Sequence, residues 1–483
     1  MQVQVSKPPI SNAVLVTSES LNIVGFDTGF ALLNQRSIFG DNMPQATYHF
    51  PRGFLWGTAT SSHQVEGNNT NNQWWMWEQT GHTDGTSGLA CDWWGGRWRE
   101  DFDRAAETGQ NAHRFSVEWS RIQPTPDTWD EDALERYRAM LRGLRERGMT
   151  AIVTLHHFSD PLWFYEMDGW EHDDAPMLFE KFVRKVVEAL KEYCSLWCTV
   201  NEPNVYTLSG YVAGLFPAKR HGLNVAKRVQ ANLLLGHAAA YHAIHEIQKE
   251  AQVGYALHYR PMAARNKWSP LDRLMRNIQY NGINMAFPSA ISAGVMKSPM
   301  GNVRIPEAKG TQDYLGLNYY SVDTIAFDIT RPQELFGKRY YPDDSDFSET
   351  KFIANIPEGI FDTIKWATRT YPNLPLYVTE NGVEDADDKM RPRYIAQHIH
   401  QVWRAVNFNF PVKGYFHWSL VDNFEWERGW TQRFGLWGVD VETQKRIKRP
   451  SVDLYAEICK ENGVSSEMVQ KYCPEVFDKL FPV

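Results

Sequence analysis

The chain is poor in cysteine and lacks long hydrophobic runs and basic blocks. Five cysteines in 483 residues (Cys91, Cys194, Cys198, Cys459 and Cys473) are odd in number and match no zinc spacing. That argues against a disulfide framework and reads as free thiols in a reducing compartment. The longest apolar stretches, such as 231–235, soon meet a Gly or His, so no 20-residue membrane span exists. Residues 1–20 lack a charged start followed by an apolar run, and the expectation is a cytoplasmic protein with no membrane partner. Net charge is −8 and the pI about 6.0, which disfavours nucleic acid and suits a neutral ligand. His237, His242 and His245 lack zinc-protease spacing, and no metal or other cofactor is expected. No Gly/Ser-rich linker and no internal repeat divides the chain.

What is abundant is aromatic: Trp, Tyr and Phe make up 13% of the residues, with 19 Trp. Many of these Trp sit beside Glu, Asn, His or Gly in apparent loops. Indole is awkward to bury because its N–H needs a partner. Flat rings beside carboxylates and amides suit a sugar, which has apolar C–H faces and hydroxyl edges.

Short apolar or β-branched runs alternate with longer amphipathic stretches. The runs are 53–58, 112–119, 151–156, 196–201, 253–258, 314–320, 376–380 and 414–418. Helical spacing appears over 132–146 (capped by Asp130, ended by Gly148), 175–193, 225–249, 356–370 and 393–406. Strand and helix alternating eight times is the signature of a closed (β/α)₈ TIM barrel. It is expected as one domain over 49–463, with long loops after several strands. Residues 1–48 read as an extension of uncertain order and 464–483 as a tail. The runs end, or are soon followed, in polar groups: His63-Gln64, Glu118-Trp119, His156-His157, Asn201-Glu202, His258-Tyr259, Asn318-Tyr319-Tyr320, Glu380-Asn381 and Trp418-Ser419. A barrel gathers those ends at one mouth, where its chemistry sits. Glu202 and Glu380 would then share an aromatic-lined pocket, the equipment for breaking a glycosidic bond: one carboxyl protonated, one ionised. Two such groups in one pocket separate their own pKa values, since one charge disfavours the other.

These motifs carry a resemblance to family 1 glycoside hydrolases, the β-glucosidase-type retaining enzymes. It rests on Phe50-Pro51-Arg52-Gly53-Phe54-Leu55-Trp56-Gly57, Gln64-Val65-Glu66-Gly67, Arg114-Phe115-Ser116 and Thr199-Val200-Asn201-Glu202-Pro203. It continues through Leu315-Gly316-Leu317-Asn318-Tyr319-Tyr320, Thr379-Glu380-Asn381-Gly382, and His417-Trp418-Ser419-Leu420 leading to Asp422-Asn423-Phe424-Glu425-Trp426. The resemblance implies Glu380 as nucleophile and Glu202 as general acid/base in a double displacement, with carboxyl groups about 5–5.5 Å apart. It implies Arg114 and Tyr320 as supports of the nucleophile. Gln64, His157, Asn201, Glu425 and Trp426 match positions that bind the nonreducing sugar, Trp418 matches the ring it stacks on, and Asn318 and Phe434 complete the set. Asn201 would meet the 2-hydroxyl. A carboxylate at Glu425 would repel a phosphorylated sugar, where the phospho-glycosidase branch typically carries Ser. Glu202 stands where the myrosinase branch has Gln. A neutral glycone on an ordinary small-molecule or oligosaccharide β-glycoside is therefore expected, with glucose, galactose and fucose all open. A homo-oligomer is compatible with all of this.

One departure stands out. Many relatives read Tyr-His-Trp-Asp where this chain has His156-His157-Phe158-Ser159, losing an indole donor near the sugar. His156 reads equally as a support or as a packed ring. Two rivals to a hydrolase are a transglycosidase of the same mechanism and a catalytically silent sugar-binding barrel. The second would usually have lost one of the two carboxylates.

Overall fold

A computed structural model describes residues 45–482. Eight parallel strands close a ring: β1 (Leu55–Ala59), β2 (Ala112–Ser116), β3 (Thr150–His156), β4 (Leu196–Asn201), β5 (Gln252–His258), β6 (Tyr314–Asn318), β7 (Leu376–Asn381) and β8 (Val412–Trp418). Each pairs with its chain neighbour, and β8 pairs with β1 to shut the barrel. Helices α1 (Trp98–Glu107), α2 (Glu131–Glu146), α3 (Ala175–Leu190), α4 (Leu223–Ile247), α5 (Ala286–Ala293), α6 (Glu358–Thr370), α7 (Arg391–Asn407) and α8 (Pro450–Glu461) alternate with the strands. The Asp130 side chain does cap α2, accepting from the Ala133 N–H at 2.9 Å.

Period-two alternation sorts the strand residues. Ala112, Ile152, Cys198, Ala256 and Phe416 pack together inside the ring. Phe115, Val153, Trp197, Leu317 and Val378 pack outward against the helices, with Phe179, Val183 and Val186 of α3 in the same cluster. The sheet thus has two apolar faces, and the helices cover the outer one.

Two strands break this rhythm near their ends. In β4, Trp197 bonds outward to Gln248 at 2.8 Å and Thr199 to His237 of α4 at 2.6 Å, so strict alternation would send Asn201 outward too. In β7, Leu376 and Val378 face outward, so Glu380 would follow. The register shifts between Cys198 and Asn201 in one strand and between Val378 and Asn381 in the other. Each irregularity turns the next polar side chains into the barrel mouth.

Most of the expected 1–48 extension lies outside the described residues. A short strand at Thr47–His49 pairs antiparallel with Gly463–Ser465, tying the start of the barrel to its end. Residues after 465 form helices Ser466–Tyr472 and Phe477–Leu480, and Leu480 accepts from the Tyr48 hydroxyl at 2.5 Å. Between β5 and β6 the chain inserts helix Pro270–Ile283. It packs on a three-stranded sheet of Met262–Ala264, Asp323–Phe327 and Gly337–Tyr340, with a small core of Met262, Met275 and Ile325.

Candidate active site

Glu202 is the first residue past β4. It adopts a left-handed conformation (φ 42°, ψ 57°) and starts the helix Pro203–Tyr211. A non-glycine residue in that region is strained, and the sharp turn aims its carboxyl into the mouth. Oε1 accepts from Asn318 Nδ2 at 2.8 Å and meets His258 Nδ1 at 3.1 Å. Glu380 lies in β7. Its Oε1 pairs with Arg114 Nη1 at 2.5 Å, and its Oε2 accepts from the Tyr320 hydroxyl at 2.8 Å. Both carboxylates line one cavity of about 820 Å³, together with His157, Asn201, Tyr320, Trp418, Glu425, Trp426 and Phe434.

Arg114 is 1% exposed inside the barrel. A buried guanidinium needs partners for its donors. Nε donates to Thr154 Oγ1 at 3.1 Å and Nη2 to Asn201 Oδ1 at 2.6 Å. Asn201 Oδ1 also accepts from Asn318 Nδ2 at 3.1 Å. One network therefore runs Glu380–Arg114–Asn201–Asn318–Glu202. It also sets a tautomer: with Asn201 Oδ1 committed to two donors, its amide N–H₂ must face His157 Nε2, 3.0 Å away. Nε2 then accepts, and the imidazole proton sits on the buried Nδ1, which has no partner among the described residues. Burial, then Arg114 and His156, hold this imidazole well below its usual pKa, so it stays neutral, with an N–H that no group among the described residues satisfies.

The profile of glycosyl hydrolase family 1 matches residues 46–464. The chain belongs to that family. It is similar to "Beta-glucosidase A" of Thermotoga maritima (32% identity over 447 residues, 86% of this chain and 98% of the other). It is also similar to a "Beta-galactosidase" of Sulfolobus acidocaldarius (30% over 491 residues, 87% and 96%). Among solved structures, a β-glycosidase from Pyrococcus horikoshii superposes with a TM-score of 0.82 at 36% identity, covering 88% of this chain and 98% of that one. The protein is an O-glycoside hydrolase with the (β/α)₈ fold.

In this family 1 enzyme the other sequence candidates fall into two groups. Trp418, Trp426 and Phe434 form cavity wall. His157 lies between the two indoles, its ring centroid 6.0 Å from each and tilted by 25° from Trp418 and 21° from Trp426. Gln64, Arg114 and Asn318 stand behind the wall and hold its groups. Gln64 Nε2 donates to Glu425 Oε2 at 3.1 Å and to the Phe424 carbonyl at 2.8 Å. Burial, then Glu427 and Glu380, push the Glu425 carboxyl up to about 8, while Gln64 opposes them. Burial pushes Glu380 up as well; Arg114 and Tyr320 pull it down and Glu202 pushes it up. The acidic end of the site is thus crowded with carboxylates in low dielectric, and Arg114 is the buried cation that relieves it.

Phe158 keeps the ring of the missing indole without its N–H. It packs on Trp426 (5.1 Å) and Phe216 (5.3 Å). His156 proves to be a packed ring outside the cavity, bonded to Asp160 at 3.0 Å and edge-on to Trp170. Glu118 is likewise buried away from the cavity, accepting from Ser62, Ser120 and Ser159. The sequence reading passed over His258, although it noted the polar end of that run. It also passed over the outer wall, built by Leu208, Phe216, Ile278, Ile283, Lys338 and Arg339. Most of these residues lie on helices Pro203–Tyr211 and Pro270–Ile283 and on strand Gly337–Tyr340, outside the eight barrel runs on which the sequence candidates were sought.

Proposed function

We propose that the enzyme is a retaining β-glycosidase that releases a neutral nonreducing-end sugar, with glucose as the first glycone to test. The observation that carries this is the asymmetric pair: Glu380 is held by a cation and a phenol, whereas Glu202 is held, among the described residues, by Asn318 and His258. Glu380, kept ionised by Arg114, attacks the anomeric carbon. Glu202 protonates the departing oxygen. A glycosyl ester on Glu380 then removes that negative charge, and Glu202 takes a proton from the incoming water. Glu425 and the His157 Nδ1–H fix sugar hydroxyls, and Trp418 offers its face. The five cysteines, all buried and free, support a reducing, cytoplasmic setting.

Proton NMR of the first product from p-nitrophenyl β-glucoside should show the β-anomer before mutarotation. An α-anomer first would mean inversion and a different use of the pair. Glu380→Gln should abolish turnover while glucose binding persists; retained turnover would show the nucleophile to be another group.

A further inference from the structure

The inserted helix Pro270–Ile283 and its sheet supply the outer wall of the cavity through Ile278, Gly282, Ile283, Leu335, Lys338 and Arg339. This wall comes from segments that follow β5 and β6, beside the strand that carries Glu202, whereas Gln64, Glu425 and Trp426 follow β1 and β8 across the ring, so the wall borders the leaving group. Leu271, Leu274, Ile278 and Gly282 are spaced three, four and four apart and share one helix face, about 16 Å long. Its inner end lines the cavity. Its outer end is bare: Leu271 is 49% and Leu274 50% exposed, and Trp268, just before the helix, is 81% exposed. Met275, beside this face, is buried in the insert's core, and Ile278 packs on that core as well, so only the outer end of the face is bare. An apolar track therefore leads from the leaving-group side of the cavity to open surface.

The neighbouring hairpin tip continues it. Ile329 (73% exposed) and Phe336 (39% exposed) lie between strands Asp323–Phe327 and Gly337–Tyr340. Asp272 Oδ1 accepts from the Phe327 N–H at 3.0 Å, which holds this hairpin against the first turn of the helix. A large apolar patch on one face is unusual for a free monomer surface. Its charge is unusual too. Residues 265–339 carry ten Lys and Arg against six Asp and Glu, in a chain of net charge −8. Among the described residues, Arg265 and Arg331 have carboxylate partners, but Lys267, Arg273, Lys338 and Arg339 form no ion pair. Lys267 and Lys338 instead lie over the rings of Trp268 and Tyr340.

Exposed Trp and Leu among unpaired cations, on an amphipathic helix, match the chemistry of an anionic lipid surface. Among the described residues no helix is long and apolar enough to cross a membrane, and a surface contact needs none. We propose that this insert docks the enzyme on an anionic lipid surface and that the adjoining groove takes the apolar chain of a lipid-like β-glycoside. The second half rests on the glycosidase reading of the cavity; the first half stands without it.

The test measures both. Co-sedimentation should show binding to phosphatidylglycerol–phosphatidylcholine vesicles, falling with salt, and roughly tenfold weaker binding to phosphatidylcholine alone. A Trp268→Ala, Leu271→Gln, Leu274→Gln variant should lose roughly tenfold of the binding. It should keep its melting temperature and its turnover of p-nitrophenyl β-glucoside. For alkyl β-glucosides, kcat/KM should climb from butyl to octyl by up to about three- to fourfold per methylene buried. Absence of vesicle binding, binding retained by the triple variant, or a flat alkyl series each overturns the proposal. So does concentration-dependent self-association of the wild type that the variant loses while vesicles bind neither, since the patch is then a contact between protein copies. Failure on p-nitrophenyl β-glucoside would sink the glycosidase reading separately.

Discussion

Replacing Tyr320 by Phe removes a single O–H and almost no volume. That hydroxyl donates at 2.8 Å to Oε2 of the buried Glu380. A hydrogen bond to a charged acceptor contributes about 1.5–3 kcal/mol. At 1.36 kcal/mol per pKa unit, its loss should raise the apparent pKa of the nucleophile by about one to two units. The sign follows from the geometry: the phenol stabilises only the ionised carboxylate, so without it the proton is held more tightly. Arg114 still pairs with Oε1, which keeps the shift from growing larger. The assay is kcat/KM for p-nitrophenyl β-glucoside against pH. Its acid limb should move up by about one to two units, with turnover below that limb down by about ten- to a hundredfold. Because the Glu202 carboxylate also acts on Glu380, the comparison with wild type is what counts. An acid limb that stays put or moves down, in a variant with unchanged melting temperature, would refute the claim that Tyr320 keeps Glu380 ionised.

Three further outcomes are expected. His258→Ala removes a partner of Glu202 Oε1, so kcat should fall roughly tenfold on alkyl glucosides and little on dinitrophenyl glucosides, whose leaving groups need no proton; equal losses on both would give His258 no part in proton donation. A Cβ at Gly382 would sit 1.9 Å from the Trp418 carbonyl, so Gly382→Ala should lower stability by about 1–3 kcal/mol in urea melts and reduce turnover by displacing the indole; an unchanged midpoint contradicts that contact. The Glu425 pKa is raised to about 8, so this group's contribution to stability is full below about pH 4.5 and is lost as pH rises toward 8. Glu425→Gln should therefore shrink the drop in melting temperature between pH 5 and pH 8, and a drop as large as wild type would mean that this carboxyl is not the group responsible.

Much of this could be read directly from the residues. Eight apolar runs separated by amphipathic stretches leave few ways to bury all their faces, and the closed barrel is the one observed. Strand ends differed by only a few residues, and the two runs that overran at the mouth, 112–119 and 314–320, did so because apolar and polar residues there continue the run without continuing its ladder. Arg114 on β2 follows plain alternation from Ala112, so its inward aim was implicit. Asn201 and Glu380 are different. Counted by twos from Trp197 and from Val378, both should face the helices. The register shifts that turn them inward depend on how β4 lies against β5 and how β7 lies against β8, and no local pattern encodes that pairing. The same holds for the His157 tautomer, which follows from Arg114 and Asn318 meeting one oxygen of Asn201. Local chemistry thus determined the barrel and its inventory of groups. The aim, the protonation and the order of those groups around the cavity were decided by contacts between strands far apart in the chain.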